Sequence, residues 1–263
     1  MTKLSAQLRR LFGRPGQVFP DPWPETGSAV ELTGPGEQVW TLVMEIAPAA
    51  GWQPVAEIWH GVQSDLELPA PVLSLAGEAG FRLWFPLGDA EPWARTRRFL
   101  DALRRRYLPE VAEAWVKCLP ASPGLCAVPL APAREGHAER WTAFIDPGMG
   151  SMFLDGAWLD MAPNLDKQAD LLANFQSIPA AAFERALAML DPGGAMVPAA
   201  AGAVTALQGS SPLWPERSSS GGLGVGSGFV DPRSFLLAVM NDPTASADHR
   251  IDAAKALLPY FEG

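Results

Sequence analysis

Cysteine is scarce in this chain: Cys118 and Cys126 are the only two, and both sit in one proline-rich segment. Their spacing builds neither a disulfide framework nor a zinc site, and a reducing compartment, the cytoplasm, is the expectation. Histidine is nearly as rare. His60, His137 and His249 are far apart, and none stands in an H-x-x-x-H pair, so each reads as a surface histidine rather than a metal ligand. No apolar run approaches the length of a membrane span, and the one in "MTKLSAQLRRLFGRPG" is too short for the centre of a signal peptide. A soluble protein with no membrane partner is expected.

Positive charge is also in deficit. Against 29 Asp and Glu stand 20 Lys and Arg, a formal net charge of −9, which argues against non-specific coating of nucleic acid because the average surface repels phosphate. Two nucleotide and nucleophile signatures are missing as well. "GGLGVGSG" lacks the G-x-G-x-x-G spacing, a preceding strand and a following Lys, and "GMGSMF" around Ser151 is no G-x-S-x-G elbow.

What the chain has is core material: 48% hydrophobic residues, including 10 Trp, in 263, enough for one large or two small domains. Short apolar runs broken by Pro and Gly predict strands at Val39–Ile46, Pro71–Leu75, Phe81–Leu87 and Trp141–Ile145. Helices are expected over residues 1–14, where Leu4, Leu8, Leu11 and Phe12 recur at helical spacing. Another is expected through "DAEPWARTRRFLDALRRRYLPEV", with Asp89 near its cap, Pro92 in its first turn and Pro109 at its end. Two more follow, from about Asp166 to Phe175 and from Pro179 to Leu190. The expected fold is α+β, a mixed sheet with flanking helices over 1–192. A flexible Ala/Gly/Ser/Pro linker over 193–230 and a helical hairpin over 231–263 complete it.

Three groups of residues are candidates for chemistry. Asp65 and Glu67 of "QSDLELP" are two apart, so on a strand both carboxylates leave one face, and Asp146 closes the apolar run "WTAFID". Together they could hold Mg²⁺ or Mn²⁺ for phosphoryl transfer, as hard cations take oxygen ligands, although each is also an ordinary turn acid. Otherwise no cofactor is expected. Arg95, Arg97, Arg98, Arg104, Arg105 and Arg106 concentrate positive charge on one helix and suit phosphate oxygens of DNA or RNA. In the last thirty residues Phe235, Leu236, Val239 and Met240 form one apolar stripe and Ile251, Ala254, Leu257, Leu258 and Phe261 another. Two helices alone bury too little, so this pair is expected to dock on a protein partner, a second copy or its own domain.

Two resemblances attach to these residues. "LSLAGEAGFRLWFPLGDAEPWARTRRFLDAL" is similar to the central strand and following helix of archaeo-eukaryotic-type primase-polymerases, in the order Asp65/Glu67, Gly80 with Trp84, then Asp146. Gly77 stands where that family has Ser, Glu78 where it has Gly, and Arg82 where it has the nucleotide-contacting His. The resemblance implies a nucleotidyltransferase using Asp65, Glu67 and Asp146, with Arg82 toward the nucleic acid. "DPRSFLLAVMNDPTASADHRIDAAKALLPYFEG" is similar to a segment of phage terminase small subunits and related mobile-element proteins. It implies an accessory role in DNA processing or packaging through protein and nucleic-acid contacts, and this is the preferred expectation.

Overall fold

The computed structural model describes residues 1–135 and 140–192. The expected linker and the hairpin stripes from Phe235 to Phe261, with His137 and His249, lie outside the described residues.

Among the described residues five α-helices and nine strands make an α+β fold. β3 (Gln38–Ile46) and β5 (Phe81–Pro92) are the sheet's centre, flanked by β2 (Thr33–Gly34) and β6 (Val116–Leu119) beyond β3. Beyond β5 lie β4 (Val72–Leu75), β9 (Arg140–Phe144) and β8 (Ala133–Glu135). Every ladder is antiparallel, so the sheet is not mixed as the sequence suggested. Parallel strands are never neighbours: β3 and β4 run the same way with β5 between them, and β5 and β6 with β3 between them, each pair joined through a helix. A separate two-stranded ribbon pairs β1 (Ser28–Glu31) with β7 (Ala127–Leu130).

The sheet is covered on both faces. Leu42, Met44 and Ile46 of β3, with Phe81, Leu83 and Phe85 of β5, meet α2 (Gln53–Ser64), α3 (Trp93–Tyr107) and α5 (Ala180–Leu190) in one core. Val43, Val72, Trp84, Leu119 and Phe144 face the other way. They pack with Leu4, Leu8, Leu11 and Phe12 of α1 (Lys3–Phe12) and with Ala169 and Leu172 of α4 (Leu165–Leu172). Double coverage explains why β3 reads as a nearly continuous apolar run rather than an alternating one. The amphipathic first helix therefore spends its apolar face on its own domain. Thr2 caps it by accepting from Ser5 N.

Helix α2 does not stand out in the sequence, and it displaces the expected strand around Asp65. Asp65 is its C-cap, and Glu67 sits in a loop with a left-handed φ of 52° between buried Leu66 and Leu68. The two carboxylates thus do not leave one face of a strand. Farther on, Asp89 belongs to β5, and Pro92 caps α3 from just outside its first turn. Among the described residues no helix is long and apolar enough to cross a membrane.

Candidate nucleic-acid interface

Asp65 accepts hydrogen bonds from Ser64 Oγ at 2.7 Å, Tyr107 OH at 3.1 Å and Arg106 Nη2 at 3.2 Å. The Ser64 bond, then that of Tyr107 and the Arg106 contact, hold its carboxyl below the usual carboxylate range. Asp146 caps the 3-10 turn Pro147–Phe153, accepting from Gly148 N at 2.8 Å. It lines a groove with His60, while Asp65 and His60 line the next one. Among the described residues no three His, Cys, Asp or Glu side chains are grouped to hold a metal ion, so Asp65, Glu67 and Asp146 are not brought together as one.

The arginines of α3 are largely engaged. Arg95 pairs with Glu91 and Glu184, Arg97 with Asp101 at 2.8 Å, Arg98 with Asp191 at 2.9 Å, Arg104 with Glu113 at 2.9 Å and Arg106 with Asp65. Each carboxylate offsets the charge a phosphate would meet. Arg105 alone of the six is exposed and enters no ion pair among the described residues. The helix that looked most basic in sequence is close to neutral in the fold.

Arg82 lies on the sheet rather than at its rim. The tight turn ahead of it uses left-handed backbone at Gly77 and Gly80, and a Cβ on Gly80 would come within 2.3 Å of Ile46 O. This sets the register in which Arg82 stands opposite Glu45 of β3. Arg82 Nε meets Glu45 Oε2 at 3.3 Å, Lys117 Nζ meets Oε1 at 3.5 Å, and Arg82 Nη1 donates to Pro129 O at 3.1 Å. Glu45 is only 8% exposed, and a charge so placed persists because both its oxygens are paired. Sequence reasoning missed Glu45. Its signal was one acid inside the apolar run "VWTLVMEI".

Uncommitted positive charge gathers at the end of α1. A groove of about 590 Å³ is lined by Arg9, Arg10, Arg14, Trp40, Leu87 and Gly88 among others, with no carboxylate on its wall. It arises from an irregularity in the sheet. Between the pairs Val39↔Glu91 and Thr41↔Pro86, β3 has only Trp40 while β5 carries Leu87 to Ala90, and such bulges re-aim side chains. Arg10 is held by its own chain, donating to Leu172 O and Phe175 O, each at 2.9 Å. Those carbonyls belong to the end of α4, where orphan acceptors and the helix dipole favour a cation. Arg9 and Arg14 enter no ion pair among the described residues. Two free guanidinium groups beside a half-buried indole can take phosphate oxygens and stack a base. The sequence alone does not join Arg9 and Arg14 to Trp40, since only the fold brings residues 9–14 beside 40. No protein-family model matches the chain, and no curated protein matches it.

Proposed function

We propose that the chain is an accessory protein of a phage or mobile element, acting in DNA processing or packaging, and that it holds single-stranded nucleic acid in the groove of Arg9, Arg14 and Trp40. The observation that carries this is the carboxylate-free groove on an acidic chain. Guanidinium groups follow the backbone while the indole accepts any base, which is how single strands are held without sequence preference. The repulsive average charge confines binding to this one surface. The similarity of 231–263 to phage terminase small subunits supports the phage or mobile-element setting.

The test is fluorescence anisotropy with a labelled oligothymidylate across a salt titration. Arg9→Ala and Arg14→Ala are each expected to lower the slope of log affinity against log salt by about 0.7, the value for one phosphate contact on a single strand. Trp40→Ala is expected to cost about 1–3 kcal/mol. Arg105→Ala should leave binding unchanged. No binding by the full chain, or a double Arg9/Arg14 variant with the original slope, removes the proposal.

A further inference from the structure

We infer that a second surface, independent of the arginine groove, receives a basic amphipathic helix from a partner protein. Among the described residues ten large hydrophobic side chains are exposed, and five of them, Met149, Met152, Leu154, Met161 and Leu165, fall in the short stretch from 149 to 165. Met152 and Met161 are 73% and 74% exposed. Clustered exposed apolar surface marks contact sites, and methionine, flexible and polarizable, adapts to varied partners. Met149 and Met152 are three apart within the 3-10 turn, a spacing that stacks side chains on one side of such a helix.

The turn that carries Met149 and Met152 also borders a concavity. The start of that turn, Asp146 to Gly148, forms one wall of a groove of about 470 Å³ whose other walls include Trp52, Trp59, Leu171 and Phe175. The turn packs tightly on this aromatic floor, since a Cβ on Gly150 would fall 1.9 Å from the Trp52 ring. A groove with aromatic walls beside an apolar rim suits a helix that inserts one or two side chains and lays its apolar stripe along the rest.

Charge selects the occupant. Asp146, Asp155, Asp160, Asp166 and Asp170 are all exposed along this stretch, against Lys167 within it and Arg140, which stacks on the Trp158 ring at 4.1 Å. A second copy pairing through the same face would set these carboxylates against themselves, and anionic lipid or nucleic acid would meet the same repulsion. A helix with Lys or Arg flanking its apolar face meets both features at once.

The probe is a synthetic peptide of Leu and Lys arranged at helical period, with a scrambled peptide of identical composition as its control. Isothermal titration to the full chain is expected to give an affinity about ten-fold higher for the periodic peptide. Met152→Ser and Met161→Ser should each weaken the periodic peptide about five-fold while leaving the scrambled one unchanged. Asp155→Asn with Asp160→Asn should weaken both and flatten their salt dependence. Because these side chains are exposed, unchanged thermal melts will accompany the losses. Equal affinity for the two peptides, or methionine variants that bind as the original chain does, overturns the inference.

Discussion

Gln168 pairs with Phe144 as another strand would: its Oε1 accepts from Phe144 N at 2.7 Å and its Nε2 donates to Phe144 O at 3.0 Å. β8 has by then run out, its last pair with β9 being Ala133 to Thr142. A side chain from α4 completes the ladder where the backbone stops. Gln168 is itself buried, and both bonds are sheltered from water.

Gln168→Ala leaves a buried N–H and a buried C=O unmet, so a loss of about 2–5 kcal/mol in urea unfolding is expected. Gln168→Glu is the sharper variant. An ionised carboxylate accepts from Phe144 N but donates nothing to Phe144 O, so this variant should regain stability as the pH falls and the carboxyl protonates. A melting temperature independent of pH in Gln168→Glu would contradict the pairing.

Phe12 holds α1 against the sheet, with ring centroids 5.2 Å from Trp84 and 5.9 Å from Phe144. Phe12→Ala is expected to cost about 3–5 kcal/mol, the range for emptying a buried aromatic site. Since the same helix carries Arg9 and positions the Arg14 loop, oligothymidylate affinity should fall with it. Equilibrium unfolding and anisotropy on one preparation check both. Retained binding in a destabilised Phe12→Ala would separate the groove from α1.

Tyr107 is pushed up to about 12 by burial and then by its hydrogen bond to Asp65. The folded value lies above the ordinary 10.0, so the stabilising contribution is complete below about pH 10 and is lost as the pH climbs toward 12. Asp65 runs the other way: its lowered carboxyl stabilises the fold above the ordinary carboxylate range and ceases to as acid protonates it. In an ultraviolet titration the tyrosinate signal lost in Tyr107→Phe should centre near 12. Asp65→Asn should bring it down toward 10. A Tyr107 midpoint already at 10 in the original chain would refute this environment.

Four of the nine described strands, β3, β4, β5 and β9, and four of the five described helices were legible because each is a local pattern. β3 and β5 are apolar runs, and α1, α3, α4 and α5 repeat at helical spacing. Helix α2 was not, since "QPVAEIWHGVQS" contains two residues that punctuate loops. Both have local reasons. Pro54 stands in the first turn, where a missing N–H costs nothing, and Gly61 is required because a Cβ there would fall 2.2 Å from the Tyr107 ring. Losing α2 also misplaced Asp65 and Glu67. The arginines of α3 were visible as a charge run, whereas Glu184 and Asp191, which neutralise Arg95 and Arg98, come from about ninety residues farther along. Only tertiary structure separates an engaged guanidinium from a free one, and that distinction moved the candidate interface from α3 to α1.

The second core has a consequence for how the chain is made. Leu4, Leu8, Leu11 and Phe12 are synthesised well before many of their partners, which include Val128, Leu130, Phe144, Ala169 and Leu172. At roughly 5–20 residues per second, about 8–30 s of translation separates α1 from α4. Throughout that interval the amphipathic first helix has no finished surface to cover it. The apolar stripe of α1 thus stays open to chaperones during synthesis, and it closes over the sheet only once α4 has been made.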